Sequence, residues 1–292
     1  MAIITISHAA FGNGRALAER VASILGYRCV SREVLAEAGQ RYGIAETRLF
    51  EALEKKPRKR WTRPNTPGLY RAALQATLCE LAQEGSLVYH GRAGEAFLPG
   101  IRHVLRVFVE TPMADRIQQV KAHADVCEEA IEKYLVMLDK IRAARMKALF
   151  NIDWRDPSRY DLVIDNSRMT LGEAARLIAV TAQGEKYRPT PESEETLRDL
   201  TICAQVRAVL LASSDARILS LNVRAARGAV EVSGIVMSGN SAHTIARRIE
   251  KIPGVTKLTT RFRGIPSPAY LSLCLLGAFQ HAQAAVESLI IF

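Results

Sequence analysis

Residues 2–22 constrain this chain more than any other stretch. Ile3, Ile4, Thr5 and Ile6 form a β-branched run that suits a strand. It enters a glycine-bearing turn, Ser7 to Arg15, and the turn enters a helix-forming run. Strand, glycine loop and helix in direct succession make an anion site. The backbone N–H groups of the loop and of the helix N-terminus point at the anion, and glycine lets the backbone come close. Against the full phosphate-loop pattern G-x-x-x-x-G-K-[ST], the chain reads Ala9, four residues, Gly14, Arg15, Ala16. The first glycine is replaced by alanine, the lysine by arginine, and the hydroxyl that would hold a metal by a methyl. Two readings stand: a phosphate site built from Gly12, Asn13, Gly14, Arg15 and Ala16, or a tight βα turn that closes a parallel sheet.

The same alternation of strand and helix continues along the chain. A helix over 16–25 is stopped by Gly26, and a short strand spans 27–31. Helical patterns then cover 33–42 and 67–84, with strands at 87–90 and 104–109. A helix opens at Thr111-Pro112, a longer one spans 128–150, and a fifth strand covers 162–165. Thr170 with Glu173 three residues on reads as a capping box for another helix. Strands alternating with helices imply right-handed crossovers and a parallel sheet, an α/β fold. A polar, proline-containing stretch, 182–196, reads as a linker. Beyond it the pattern changes to helix, alternating strand over 219–225, turn, alternating strand over 229–236, helix over 242–251 and strand over 255–262, a small α+β unit. The tail, 264–292, has an apolar helical look without a motif.

Composition narrows the partners. The 292 residues carry a formal net charge of +10, which favours anionic partners without choosing among them. The five cysteines are odd in number, widely spaced and without a C-x-x-C pair. They read as reduced thiols of a cytoplasmic protein. The N-terminus enters a strand directly and carries no secretory signal pattern. The most apolar late run, 269–279, is too short to span a bilayer. Lys55 to Arg63, a basic run around Trp61, reads either as a clamp for phosphates or as a solvated loop. Nucleic acid is not the expected partner. His8, His103, His123, His243 and His281 show no metal-ligand spacing and read as structural; His90 stays open because of its place at a strand end.

Four stretches in order carry a resemblance: ITISHAAFGNGRALAERVASILGY (3–27), VYHGRAG (88–94), LRVFVETPMADRI (105–117) and YDLVIDNSRMTLGEAARLI (160–178). Together they resemble the nucleoside-monophosphate kinases, cytidylate kinases in particular, and within these the cytidylate kinase-like branch. The resemblance implies a P-loop parallel sheet flanked by helices over residues 1–181, with ATP as donor, a CMP-like acceptor and magnesium (Mg2+). Residues 197–263 resemble the BON domain through LNVRAARGAVEVSGIV (221–236) and ARRIEKIPGVTKLTTRF (246–262), which implies a lipid or protein partner.

By that resemblance Arg15 stands where lysine reaches the β and γ phosphates, and Arg32, Arg92 and Arg116 meet the acceptor. Arg142 and Arg145 are candidate lid arginines. Their i,i+3 spacing lets them face one phosphate or simply share an exposed helix face. Two usual magnesium anchors are replaced, one by Ala16 and one by His90 at the end of the third strand, and no metal ligand is assigned. Two functions are implied: phosphoryl transfer to a nucleoside monophosphate, or a catalytically weak pseudokinase acting as a nucleotide-responsive regulator through its C-terminal unit.

Overall fold

The computed structural model describes residues 1–54, 66–212, 217–237 and 241–265. In chain order the elements are β1 (Ile3–His8), α1 (Gly14–Leu25), β2 (Arg28–Val30), α2 (Glu33–Tyr42), α3 (Glu46–Glu54), α4 (Thr66–Gln83), β3 (Leu87–His90), α5 (Gly94–Phe97), β4 (Val104–Glu110), α6 (Met113–Lys121), α7 (Glu128–Phe150), β5 (Leu162–Asp165), α8 (Leu171–Gln183), α9 (Pro191–Ala212), β6 (Arg217–Ala226), β7 (Ala229–Met237), α10 (Ser241–Ile249) and β8 (Lys257–Ile265). The basic run around Trp61 and the apolar tail lie outside the described residues, apart from the tail's first two positions.

β1 to β5 pair in parallel in the order β2-β3-β1-β4-β5. Ile3 stands opposite Leu87 on one side and Val104 on the other. The central strands are apolar on both faces, as helix-covered parallel strands must be. On one face Leu17 and Val21 of α1 and Ala175 and Ile178 of α8 pack on Ile4, Ile6 and Val107. On the other face Ile3, Tyr89 and Phe108 meet Val34 of α2, Leu74 and Leu78 of α4, and Met146 of α7.

The local signals act where the pattern placed them. Gly26 ends α1 at φ 67°, a left-handed stop that glycine adopts without strain. Thr170 accepts from the Glu173 N–H while the Glu173 carboxylate accepts from the Thr170 N–H, the two halves of a capping box. Pro112 differs: it is the N-cap of α6, in extended conformation, and the helix begins one residue later. The α3 helix has no counterpart in the sequence reading, although Leu49, Ala52 and Leu53 fall on one buried face.

The C-terminal sheet has the order β6-β7-β8. β6 and β7 form an antiparallel hairpin and β8 runs parallel to β7. One face packs Val223, Val230 and Val232 against Ile202, Val206 and Leu210 of α9 and Ile245 and Ile249 of α10. The order helix, hairpin, helix, strand agrees with the sequence pattern. The stretch read as a linker is more ordered than its polarity suggests. Tyr187 is buried in the α1/α8 layer, α9 begins at Pro191, and the buried Ser193 hydroxyl lies 2.8 Å from His103 Nδ1.

α9 belongs to both units. Leu197 and Ala208 join the core around α4, while Ile202, Cys203, Val206 and Leu210 join the core of the second sheet. Gln83 donates to Thr201 and Gln205 donates to Glu80, so hydrogen bonds also cross from α4 to α9.

Candidate functional site

The chain leaves β1 toward one edge of the parallel sheet and β4 toward the other. Ligands in such sheets bind in the crevice outside the carboxyl ends of the strands, where the winding reverses. The residues at those ends include His8, Val30, His90 and Glu110.

The loop after β1 is tightly formed. Phe11 and Asn13 both hold positive φ, 57° and 56°, a conformation that costs non-glycine residues energy and recurs where a backbone is shaped for a ligand. Gly12 permits a close approach: a Cβ there would lie 2.9 Å from the Ala9 carbonyl oxygen and 3.0 Å from Thr111 Oγ1. The Thr111 hydroxyl donates to the Gly12 carbonyl at 3.3 Å. Among the described residues no side chain caps α1, and its first turn holds no carboxylate. The first helical N–H groups are therefore available to an anion.

Arginines from α6 and α7 hold the loop through its carbonyls. Arg116 of α6 donates through Nε to the Ala10 carbonyl at 2.9 Å and through both Nη atoms to Asp139 of α7, at 2.8 and 3.1 Å. Asp139 also accepts from Arg155 at 2.7 Å. Arg142 of α7 donates to the His8 carbonyl, and its guanidinium lies 3.8 Å above the Trp154 ring.

One cavity of about 230 Å³ opens at this crevice. Its basic wall holds His8, Arg15, Arg32, His90, Arg92 and Arg142, beside Ala9 and Ala10 of the loop. Its apolar wall holds Val34, Leu35, Phe50, Leu53, Leu74 and Phe97. The Arg32 guanidinium lies 4.8 Å over the Phe50 ring. Arg15 is 80% exposed and pairs with Glu19 at 2.8 Å, one turn along α1.

Four of the arginines singled out from the sequence thus share this cavity: Arg15, Arg32, Arg92 and Arg142. Gly12, Asn13, Gly14 and Ala16 form the loop and helix start beside it. Arg116 and Arg145 do not line it. Arg116 is committed to Asp139 and the loop carbonyl, and Arg145 donates to the Glu51 carbonyl at 3.1 Å. Arg142 and Arg145 are both buried, so they share no exposed face, and of the two it is Arg142 that lines the cavity.

Two contributors escaped the sequence reading. His8 packs directly on the helix start: a Cβ on Gly14 would lie 1.9 Å from its Cδ2. Its Nδ1 lies 2.9 Å from the Ala9 carbonyl oxygen and must donate there. Burial, with the nearby charges of Arg142, His90 and Arg92, lowers its pKa to about 4. Burial likewise lowers that of His90. Two neutral imidazoles therefore stand among the arginines at neutral pH. The second contributor is Glu95, a buried carboxylate five residues past the end of β3. It accepts from the Ser7 hydroxyl at 2.9 Å, beneath the loop. Nothing in the spacing between these two residues marks them as partners.

The donor set fits a nucleotide better than a protein-held metal. Backbone N–H groups at the helix start and convergent arginines suit phosphate oxygens. Ala16 offers no ligand, and among the described residues no three His, Cys, Asp or Glu side chains gather into a metal site.

The sequence profile of the cytidylate kinase-like family matches residues 3–168. The chain is 30% identical over 91 residues to the cytidylate kinase of Methanocaldococcus jannaschii, covering 30% of this chain and 51% of that protein. It is 26% identical over 107 residues to the cytidylate kinase of Methanopyrus kandleri, covering 34% of this chain and 55% of that one. It thus spans about half the length of the curated relatives it matches. A solved structure of an uncharacterized protein from Eubacterium ventriosum superposes with a TM-score of 0.48 at 17% identity, over 62% of this chain and 97% of that one. With more than half of its residues matched by the family's profile, the chain belongs to the cytidylate kinase-like family.

Proposed function

We propose that this chain binds ATP along Gly12–Ala16 and a nucleoside monophosphate such as CMP in the adjoining cavity, and transfers the γ-phosphoryl group between them. The observation that carries this reading is the convergence of Arg15, Arg32, Arg92 and Arg142 on one cavity beside the loop. Phosphoryl transfer needs positioning and positive charge and little covalent help. ATP supplies the phosphoryl group. The loop N–H groups and Arg15 hold its phosphates, Arg32 and Arg92 hold the acceptor phosphate, and Arg142 carries positive charge to the group in transit. Arg116 and Arg145 act as positioning residues, the first through the Ala10 carbonyl. Ala16 and His90 stand where the usual protein anchors of Mg2+ would be, so the nucleotide phosphates themselves would hold it.

A second reading has its own support. Arg15 is exposed and engaged with Glu19, and arginine is not a geometric equivalent of lysine at phosphate. A pseudokinase would bind nucleotide without transfer and signal through the C-terminal unit. In this reading the unit is 197–263, whose sequence resembles the BON domain and whose three strands form a mixed sheet. Likewise 1–181 is the kinase-like unit and 182–196 the joining segment, with α9 starting inside it. Among the described residues Cys29, Cys79, Cys127 and Cys203 form no disulfide; a cytoplasmic setting is part of this proposal. Among the described residues no helix is long and apolar enough to cross a membrane.

The test is ADP formation from ATP against a panel of nucleoside monophosphates, paired with calorimetric ATP binding. Arg92→Met and Arg142→Met are expected to lower kcat/KM at least tenfold, and Arg145→Met to leave it within about threefold in the folded fraction. Binding without ADP formation would select the pseudokinase. No binding at all would overturn both.

A further inference from the structure

We propose that the face of the C-terminal sheet turned away from α9 and α10 is a docking surface for the phosphodiester backbone of a nucleic acid. Charge is concentrated in this unit. Residues 217–265 hold nine Lys and Arg against two Glu, a net +7 of the chain's +10. Strand register then sorts part of it onto one face. Val223 on β6, Val230 and Val232 on β7, and Leu258 and Phe262 on β8 face α9 and α10. Side chains alternate along a strand, so Arg224, Glu231, Lys257, Arg261 and Arg263 stand on the opposite face. Arg224 pairs across with Glu231, Ser233 with Arg261, and Ile235 with Arg263.

Arg224, Lys257, Arg261 and Arg263 are all exposed, and among the described residues no helix covers them. Glu231 is the carboxylate on this face and reaches Arg261 at 3.4 Å, leaving that arginine 73% exposed. A surface pair of this kind contributes little and yields readily to a stronger anion.

The arrangement favours a linear polyanion. Arg261 and Arg263 lie about 7 Å apart on one strand, a spacing comparable to successive phosphates along a nucleic-acid strand. A rigid row of cations is matched by a stiff charged backbone. A bilayer surface would instead engage apolar side chains, and the apolar residue at the centre of this face, Ile235, is half-buried. The sequence alone points to nucleic acid only at the basic run near Trp61. The basic face of the sheet exists only once the hairpin and β8 are in register.

The experiment uses the full chain and labelled 20-mer oligonucleotides, duplex and single-stranded, DNA and RNA, with fluorescence anisotropy read across a salt series. The wild-type chain is expected to bind with a steep negative salt slope. The triple variant Arg224→Gln, Arg261→Gln, Arg263→Gln should bind at least tenfold more weakly, with the slope reduced by about 2–3. Replacing the same three by lysine should restore binding, and all variants should keep the wild-type thermal melt. Which oligonucleotide binds tightest identifies the natural source. The proposal is overturned if the glutamine variant binds as wild type does, including the case in which neutralising Lys55 to Arg63 abolishes binding instead. It is also overturned if no oligonucleotide binds while vesicles containing about one-third phosphatidylserine are bound.

Discussion

Removing Asp139 should cost the fold far more than an acidic residue on a helix normally would. Arg116 is 2% exposed and Asp139 8%. The pair is bidentate, and Asp139 takes a third hydrogen bond from Arg155. In Asp139→Ala the guanidinium of Arg116 keeps the Ala10 carbonyl and loses both carboxylate bonds while staying buried. Stranding a buried charge in this way costs about 3–5 kcal/mol. Arg155 is half exposed, so Arg155→Ala should cost no more than about 1 kcal/mol. The double variant Arg116→Met, Asp139→Leu removes both charges and should return to within about 2 kcal/mol of wild type, since well-packed apolar replacements of buried pairs are often neutral. Urea unfolding of wild type, these three variants and the two singles Arg116→Met and Asp139→Leu gives the numbers, provided the slope with denaturant is constant. A loss below about 1 kcal/mol for Asp139→Ala, or a double variant as unstable as the sum of its singles, would refute the reasoning. The double variant should also bind nucleotide more weakly than its stability suggests, because the Ala10 carbonyl loses its anchor.

Gly14→Ala should destabilise the loop, because the new methyl would overlap the His8 ring. His8→Ala in the same chain should recover most of the loss in melting temperature, and a Gly14→Ala protein as stable as wild type would refute the packing. His8 also sets a pH dependence. Its folded pKa of about 4 lies below the ordinary 6.5, so the fold favours the neutral ring and its contribution is complete above pH 6.5. As pH falls toward 4 the unfolded chain takes up a proton that the folded one refuses, and stability drops by up to about 3 kcal/mol. His8→Gln should flatten that part of the profile; an unchanged profile would count against it.

Local chemistry was legible in the sequence where it acts over a few residues. Ile3 to Ile6, Gly26 and the Thr170–Glu173 box each specify their own backbone, and each lies in the element it specified. Arg32 and Arg92 were legible because each follows a strand of the parallel sheet by two residues, whereas Arg15 was singled out through the phosphate-loop pattern and Arg142 through the family resemblance. What was not legible depends on partners far apart in sequence. Ser7 and Glu95 are 88 residues apart, and Arg116 meets Ala10 across 106. Arg116 follows a buried strand and looks like a phosphate ligand until Asp139 is seen beneath it. Tyr187 and Ser193 sit in a polar stretch whose composition says linker, and only their burial says otherwise.

The double membership of α9 bears on how such a protein is built up or cut apart. A module joined by a flexible tether can be exchanged at the tether without touching its neighbour. Here the exchange boundary runs lengthwise through one helix, with one side fitted to α4 and the other to the small sheet. A cut at residue 197 would leave the excised unit with an orphaned apolar stripe and the remaining unit with an open groove along α4. A transplanted replacement would therefore have to bring its own copy of the α4-facing stripe, including Leu197 and Ala208, whatever sheet it carried behind it.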